Sequence, residues 1–409
     1  MTLPSPWTGT WSSAQVGAAA SGRSRTGFRD QTLRSVVRAS VGGSAVRIRL
    51  SNVFGQTPLT VSGAHLAIRL SGASTVPGTS RRVTFAGSLS VTVPAGARAV
   101  SDAVRLDLDD EADLAVSLCF RAPTGPATWH PAGLASGYCA AGADHGADAS
   151  AAAFARLGTS GYFLDGVDVL NPAAGGAVVA FGPSTTDGIG SPPDANQRYP
   201  DQLARRLLKL PGGERMSVLN AGIAGNKLLA DNGTCGPSAL HRFTRDAIGQ
   251  PGVRAVILWE GTNDVATRPD LPLSEFTSAY QRLIGLARGA GVKVVGATLQ
   301  PHEGAGFYSP AGNKLREAVN EWIRWSGAFD GVADFDRVLH DPRRPRRLLP
   351  AFDSGDHLHP NQAGYAAVAE AVDLAVLTGY DGLTGYDGPA RYDGPARYGE
   401  LAGYEELTG

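Results

Sequence analysis

The second half of this chain alternates between short apolar runs and amphipathic helical patterns, and this alternation constrains the fold more than any other feature. The apolar runs are Ala177–Phe181, Ser217–Ile223, Ala255–Trp259, Lys293–Leu299 and Gly331–Phe335. Helical periodicity falls near Ala195–Leu210, Ser238–Ile248, Leu273–Gly289, Pro310–Trp325 and Gln362–Val376. Strands that are apolar on both faces form a parallel sheet covered by helices on both sides. The pattern predicts a flavodoxin-like, three-layer α/β domain with five parallel strands over residues 175–378.

The first part of the chain has a different pattern. Between about residues 30 and 120, apolar and polar residues alternate in short segments such as Ala45–Leu50, Leu89–Val93 and Leu114–Leu118. A period of two, with Gly, Pro and Ser between the segments, is typical of an antiparallel β-sandwich. We therefore expect a β-sandwich domain over residues 1–150 and a linker over residues 151–174.

Residues 379–409 form a third segment, rich in Tyr, Gly and Pro. A tyrosine recurs every six residues, at Tyr380, Tyr386, Tyr392, Tyr398 and Tyr404. Such a hexapeptide repeat has too few apolar residues to bury a core, so the sequence predicts a disordered tail. The alternative is a multivalent tyrosine array for a partner or for phosphorylation.

Composition limits the class of partner. The 409 residues are 43% hydrophobic and carry a formal net charge of -1, which gives no electrostatic argument for a nucleic acid or an anionic membrane. No apolar stretch approaches the ~20 residues of a membrane span. The first residues have neither the basic nor the apolar segment of a signal peptide. We expect a cytoplasmic protein, or a secreted one whose leader is absent from this sequence.

The three cysteines leave two readings open. Cys119 and Cys139 could pair within the first domain and leave Cys235 over, or all three are free thiols. None has the spacing of a metal ligand set. Catalysis by a serine nucleophile, which the residues below suggest, would require neither a metal nor an organic cofactor.

Ser184 lies where the first apolar run of the α/β half ends, in Phe181-Gly182-Pro183-Ser184. Ligands of open parallel sheets bind beyond the carboxyl ends of the strands. A serine there can act as a nucleophile if an imidazole takes its proton and a carboxylate holds that imidazole in the right tautomer.

Asp356 and His359 have a spacing suited to this role. They lie in a glycine-containing loop, three residues apart, and Pro360 and Asn361 then begin a helix. Two other readings stay open for the segment alone: solvated loop histidines, or a metal site formed by His357, His359 and Asp353.

Acyl transfer also needs donors for the developing oxyanion, each worth roughly 3 kcal/mol. The candidates are the backbone N–H of Ser184, the backbone N–H of Gly225 beyond the second strand, and the side-chain amide of Asn263 beyond the third. Gly261-Thr262-Asn263-Asp264 also fits an ordinary turn with a helix cap.

Ser184, Gly225, Gly261-x-Asn263-Asp264 and Asp356-x-x-His359-Pro360 together resemble the four blocks of the SGNH (GDSL-type) hydrolase family, in the family's order. The resemblance implies a Ser184 nucleophile, a His359 base, an Asp356 carboxylate and an oxyanion hole of Ser184 N–H, Gly225 N–H and Asn263. The N-terminal domain is similar to sandwich domains that precede some carbohydrate-directed esterases of the family. The α/β-hydrolase elbow Gly-x-Ser-x-Gly is not met, since Thr186 stands two residues after Ser184.

One residue departs from the family pattern. Pro183 stands where the family usually has Asp, so a carboxylate beside the nucleophile is missing. Proline removes its own N–H but not that of Ser184. We expect the fold and the triad to persist with reduced activity. The sequence does not distinguish a natural departure from an altered variant.

Three functions are consistent with these residues. The first is a serine esterase that hydrolyses carboxylic esters, including acetyl or short-chain esters of carbohydrates. The second is an acyltransferase or deacetylase on sugars. The third is a weakly active carbohydrate-binding protein with a degenerate site, which the Pro183 departure motivates. The expected partner is a small-molecule or carbohydrate ester, and the acyl and alcohol groups depend on loops that sequence does not define. The oligomeric state is likewise undefined.

Overall fold

Two large antiparallel sheets and two short two-stranded ones form the first part of the computed structural model, which describes residues 6–142 and 144–380. In chain order the elements are β1 (Trp7–Ser12), α1 (Arg23–Thr26), β2 (Gln31–Arg38), β3 (Gly43–Ser51), β4 (Leu59–Val61), β5 (Gly63–Ser71), β6 (Ser74–Thr75), β7 (Arg81–Val83), β8 (Val91–Val93), β9 (Arg98–Val100), β10 (Val104–Leu108), β11 (Asp113–Phe120), β12 (Trp129–His130), β13 (Gly137–Ala141), β14 (Ala155–Gly158), β15 (Gly161–Tyr162) and β16 (Leu164–Leu170). One large sheet has the order β1-β16-β3-β10, and β9 also pairs with β3. The other large sheet has the order β14-β13-β2-β11-β5-β6, and β7 also pairs with β5.

The two large sheets enclose one apolar core. Ile48 and Val167 of the first sheet belong to the same buried cluster as Leu66 and Val116 of the second. Side chains of period two from facing sheets produce this arrangement. The first part of the chain is therefore the antiparallel β-sandwich that the alternation predicts.

The predicted linker over residues 151–174 is wrong for most of its length, because β14, β15 and β16 lie within it. β16 runs between β1 and β3, in the middle of its sheet. Sequence analysis does not predict this strand because its acidic residues interrupt the apolar pattern. Asp168 is buried and pairs with Arg47 at 2.9 Å and with Arg49 at 3.1 Å, so an arginine-rich neighbouring strand compensates the charge.

The second part of the chain is a three-layer α/β unit, as the sequence predicts. Its elements are β17 (Ala177–Gly182), α2 (Ser184–Asp187), α3 (Tyr199–Leu207), β18 (Ser217–Gly222), α4 (Ala239–Phe243), β19 (Val253–Leu258), α5 (Thr262–Thr267), α6 (Leu273–Gly289), β20 (Lys293–Ala297), α7 (Pro310–Trp325), β21 (Gly331–Ala333), α8 (Phe335–Leu339), β22 (His340–Asp341), β23 (Arg344–Leu348), α9 (Gln362–Glu370) and α10 (Leu374–Thr378). Its sheet has the order β18-β17-β19-β20-β21 with all strands parallel, which is the 2-1-3-4-5 order of flavodoxin-like folds.

The predicted helix over residues 362–376 divides into α9 and α10. The Asp373 carboxylate accepts a hydrogen bond from the backbone N–H of Ala375 at 2.9 Å and caps the second helix. The other predicted helices and strands are present, with ends shifted by a few residues.

The sandwich covers the edge strand of the parallel sheet. The hydroxyl of Ser217, in β18, donates to the carbonyl of Gly9 in β1 at 2.5 Å. The Val218 N–H of the same strand donates to the Ser40 hydroxyl at 3.1 Å. Val16 of the first half is fully buried within the apolar core of the α/β unit. An open sheet edge is a site for unwanted pairing, and here the sandwich occupies it.

Cys119, Cys139 and Cys235 are free thiols. Cys119 lies in β11 and Cys139 in β13, and β2 runs between them. Two strand spacings are about 10 Å, beyond the reach of a disulfide.

None of the helices in residues 6–142 and 144–380 has both the length and the apolar character to cross a membrane. The predicted tail over residues 379–409 lies outside the described residues beyond Tyr380.

Candidate active site

The candidate residues lie beyond the carboxyl ends of three neighbouring strands. β17 ends at Gly182, and Ser184 is the first residue of the one-turn helix α2. Gly225 follows the end of β18, and Asn263 lies in the first turn of α5, after β19. Because β17 is hydrogen-bonded to both β18 and β19, these loops share one edge of the sheet.

Ser184, His359 and Asp356 form a continuous hydrogen-bonded chain. The His359 Nε2 atom is 2.7 Å from the Ser184 Oγ atom, although 175 residues separate them in the sequence. The His359 Nδ1 atom is 2.5 Å from Asp356 Oδ2. The sequence-predicted triad residues are thus in contact, in the arrangement that nucleophile activation requires.

Asp356 is held ionised by its surroundings. Partial burial alone would raise its pKa. Hydrogen bonds from the His359 side chain and from the backbone N–H groups of His359 and Leu358 outweigh burial and lower the pKa to about 2. The carboxylate therefore stays charged at any ordinary assay pH and orients the imidazole.

The loop that carries His359 contains a second, similar pair. Asp353 Oδ2 is 2.6 Å from His357 Nδ1, and His357 is 53% exposed, whereas His359 is 13% exposed. Asn361 closes the loop, because its N–H donates to the Phe352 carbonyl and its side chain caps α9. Among the described residues, no group of three His, Cys, Asp or Glu side chains is arranged so that it could hold a metal ion.

The nucleophile loop and the histidine loop are joined to each other. The buried Tyr365, in α9, donates its hydroxyl to the Ile189 carbonyl at 2.5 Å. Gly190 has φ +96°, and a Cβ there would lie 2.5 Å from the Pro360 carbonyl oxygen and 3.3 Å from the His359 Cβ. The close approach that brings His359 to Ser184 thus requires a glycine at position 190.

The three candidate oxyanion donors lie around the nucleophile loop. Among the described residues, no acceptor takes a hydrogen bond from the backbone N–H of Ser184 or Gly225. The Asn263 side-chain nitrogen donates to the Asn226 carbonyl at 2.7 Å, which uses one of its two N–H groups and ties α5 to the Gly225 loop. Gly225 has φ +76°, and a Cβ would lie 2.5 Å from the Cys235 sulfur.

Pro183 leaves the nucleophile helix intact. It is buried and precedes the first turn of α2, and its carbonyl accepts from Thr186 N–H at 3.1 Å and from Asp187 N–H at 2.9 Å. Because proline loses only its own N–H, the turn forms without it.

Two further carboxylates shape the site, and sequence analysis assigns neither of them a role in it, although Asp264 belongs to one of the sequence blocks and Asp187 lies near the nucleophile in the sequence. Both Asp264 oxygens accept backbone N–H groups, from Leu228 at 2.7 Å and Leu229 at 3.0 Å, and burial raises the pKa of Asp264 to about 6. Asp187 lies one turn after Ser184 and is buried. Its place near the end of the nucleophile helix could be seen in the sequence, but its contact with His130 of the first half, at 3.0 Å, could not.

Residues 180–367 match the model of the GDSL-like lipase/acylhydrolase family. None of the curated proteins matches this chain.

Solved structures with a similar fold each correspond to about half of this chain. A GDSL-like lipase from Bacteroides thetaiotaomicron is 18% identical over 50% of this chain and 89% of that chain, with a TM-score of 0.38. A carbohydrate acetylesterase family member from Sinorhizobium meliloti is 16% identical over 50% of this chain and 99% of that chain, with a TM-score of 0.41. An acetyl xylan esterase is 19% identical over 48% of this chain and 96% of that chain, with a TM-score of 0.37.

Proposed function

Because residues 180–367 belong to the GDSL-like lipase/acylhydrolase family, we propose that this hydrolase is a serine esterase that acts through an acyl-enzyme intermediate. One observation carries the proposal: the Ser184 Oγ, His359 Nε2 and Asp356 carboxylate are linked at hydrogen-bond distances. Acyl transfer by a serine requires such a hydrogen-bonded chain.

The chemistry follows from the proton positions. Asp356 accepts the His359 Nδ1–H, so the Nε2 atom of the neutral ring is free to accept the Ser184 proton. The Ser184 Oγ then attacks the ester carbonyl carbon, and the carbonyl π electrons move to its oxygen. The donors proposed to stabilise this oxyanion are the Ser184 and Gly225 N–H groups and the second Asn263 N–H.

Collapse of the tetrahedral intermediate breaks the ester C–O bond. His359 gives its proton to the departing alcohol oxygen, which leaves the acyl group on Ser184. Water then adds to the acyl carbon while His359 takes one of its protons, and the acid is released with Ser184 restored.

For the substrate, we propose acetyl and other short-chain esters, carbohydrate esters among them. The support is that the four sequence blocks resemble the SGNH (GDSL-type) family, and that the preceding sandwich is similar to domains that precede some carbohydrate-directed esterases of that family. A series of p-nitrophenyl esters of increasing acyl length, set against acetylated xylan fragments, separates aryl-ester from carbohydrate specificity. An acyltransferase would instead pass the acyl group to an added sugar in preference to water.

The decisive variant is Ser184→Ala. We expect it to abolish turnover of p-nitrophenyl acetate and labelling by a fluorophosphonate probe, because it removes the attacking oxygen. Circular dichroism and the unfolding midpoint should change little, since the side-chain hydrogen bond that Ser184 loses is the one to His359. Wild-type-like turnover in this variant would refute the assignment, and an unlabelled wild-type protein would favour the degenerate, carbohydrate-binding alternative.

A further inference from the structure

A buried contact links the sandwich to the nucleophile helix. The Nε2 atom of His130, in β12, is 3.0 Å from Oδ1 of Asp187, the last residue of α2. Both side chains are almost fully buried, at 4% and 2% exposed. His130, from the first half of the chain, thus contacts a residue that lies one helical turn after Ser184.

Both ring nitrogens of His130 face acceptors. The Nδ1 atom is 2.6 Å from the Ala14 carbonyl oxygen, and Nε2 faces the Asp187 carboxylate. Two acceptors require two N–H donors, so the ring is an imidazolium beside a carboxylate. Burial alone would lower the pKa of His130, and Arg198 opposes the charge too. The charge of Asp187 and the hydrogen bonds outweigh both and raise the pKa.

The second oxygen of Asp187 reaches a different loop. Asp187 Oδ2 accepts the backbone N–H of Ala224 at 3.1 Å, and Ala224 directly precedes Gly225. The Asp187 backbone N–H donates to the Pro183 carbonyl at 2.9 Å, which closes the turn that begins at Ser184. One carboxylate therefore spans the nucleophile helix, the loop of a proposed oxyanion donor and the sandwich.

We propose that His130 is a positioning residue of the esterase site, which acts through Asp187 to fix the Gly225 loop against the helix of Ser184. The proposal rests on the proposed function. It makes the sandwich part of the catalytic unit, because without His130 one oxygen of a buried carboxylate has no donor and is free to rotate away from Ala224. Oxyanion donors are effective only when held in place before the reaction.

Two substitutions of Asp187 separate geometry from charge. Asp187→Ala removes the link, and we expect kcat for p-nitrophenyl acetate to fall about 10- to 100-fold with KM changed less than about threefold. Asp187→Asn retains the link: its amide oxygen accepts from Ala224 N–H, and its NH2 group donates to a neutral His130 Nε2. We expect its kcat to stay within about threefold of wild type.

The sandwich side is tested by His130→Ala, with His130→Gln as a variant that keeps one donor. We expect kcat and the rate of fluorophosphonate labelling of Ser184 to fall together in His130→Ala, and to fall less in His130→Gln. Ser40→Ala is the matched control. It removes another buried hydrogen bond between the sandwich and β18, at Val218, the end of the strand away from Ser184. It should lower the unfolding midpoint and leave kcat unchanged.

The outcomes are distinct. Wild-type kcat in both His130→Ala and Asp187→Ala, with only the unfolding midpoint lowered, would overturn the proposal and leave a structural contact. Loss of kcat in Asp187→Asn equal to that in Asp187→Ala would also overturn it. If His130→Ala does not fold, the two Asp187 variants decide. A wild-type protein with neither turnover nor labelling would instead refute the proposed function, and this inference with it.

Discussion

The two oxygens of Asp356 have different partners, and this fixes the tautomer of His359. Oδ1 accepts the backbone N–H groups of Leu358 and His359 at 2.9 and 2.8 Å, and Oδ2 accepts from the imidazole. An amide in place of the carboxylate must keep its oxygen toward the two backbone donors. Its NH2 group then faces Nδ1, which favours the ring tautomer that carries its proton on Nε2.

Asp356→Asn should therefore lower kcat for p-nitrophenyl acetate by roughly 10³- to 10⁴-fold, because an Nε2–H cannot take the Ser184 proton. The matched control is Asp353→Asn, in the same loop. Asp353 likewise accepts two backbone N–H groups on Oδ1 and a histidine Nδ1 on Oδ2, but that histidine is the exposed His357. We expect the control to keep kcat within about threefold. Equal losses in the two variants would contradict the assigned tautomer.

The residues of the triad were predictable because their signals are local. Asp356 and His359 lie three residues apart in one loop, and Ser184 follows an apolar run. The pair of His130 and Asp187 was not, since 57 residues separate them and each alone is an ordinary polar residue. The contact between them depends on how the sandwich packs against α2, and no local sequence pattern predicts that packing.

At the scale of elements, the nucleophile helix lies against the last residue of β18. A Cβ on Gly222 would lie 2.2 Å from the Asp187 nitrogen and 2.6 Å from the Asp187 Cα. These are backbone atoms, so no side chain can move aside to make room. The glycine at the strand end thus sets how close α2 lies to the sheet.

Gly222→Ala should displace α2 and cost about 1–3 kcal/mol of unfolding free energy, together with a loss of kcat as Ser184 moves from His359. Gly285→Ala is the control, because Gly285 lies within α6 and a Cβ there meets nothing within 4 Å. That variant should stabilise the protein by about 0.5–1 kcal/mol with unchanged kcat. Urea unfolding and steady-state kinetics measure both effects. A Gly222→Ala protein with wild-type stability and kcat would contradict this close packing.

Helices and strands could be predicted where their apolar periodicity is uniform. The prediction failed where a strand contains buried charged residues. α6 and α7 match the predicted ranges because each has one apolar face. β16 was missed because Asp165 and Asp168 interrupt its apolar pattern. Their partners, Arg98 at 2.8 Å for Asp165 and Arg47 and Arg49 for Asp168, come from strands that are distant in the sequence. Because these ion pairs join residues that are distant in the sequence, the acidic residues of a core strand lead to the prediction of a loop.

At the scale of the molecule, the two halves form a continuous structure. β1 lies along the edge strand of the parallel sheet, Val16 enters the α/β core, and the His130 contact reaches the nucleophile helix. The sequence predicts the two kinds of fold correctly, but not this contact between them, because the contact is made by hydrogen bonds and apolar packing between residues more than 50 positions apart.

The stability of the whole molecule should depend on pH through one buried histidine. His302 is 1% exposed, and burial together with the nearby Arg316 lowers its pKa to about 4 from the ordinary 6.5. Below about pH 6.5, His302 binds a proton in the unfolded chain but not in the folded protein. The unfolding free energy of the protein therefore decreases as the pH falls from about 6.5 toward 4.

Between about pH 7 and pH 4.5 this histidine should cost roughly 2 kcal/mol of unfolding free energy. His302→Gln removes the titrating group, so its unfolding free energy, measured with urea at both pH values, should fall less than that of wild type by about this amount. His241→Gln, at a histidine that is 65% exposed, is the control and should keep the wild-type difference. Equal pH dependence in wild type and His302→Gln would mean that the buried ring accepts a proton without opening the fold. The acid sensitivity of the protein would then have to come from carboxylates whose pKa is lowered in the folded protein, such as Asp356.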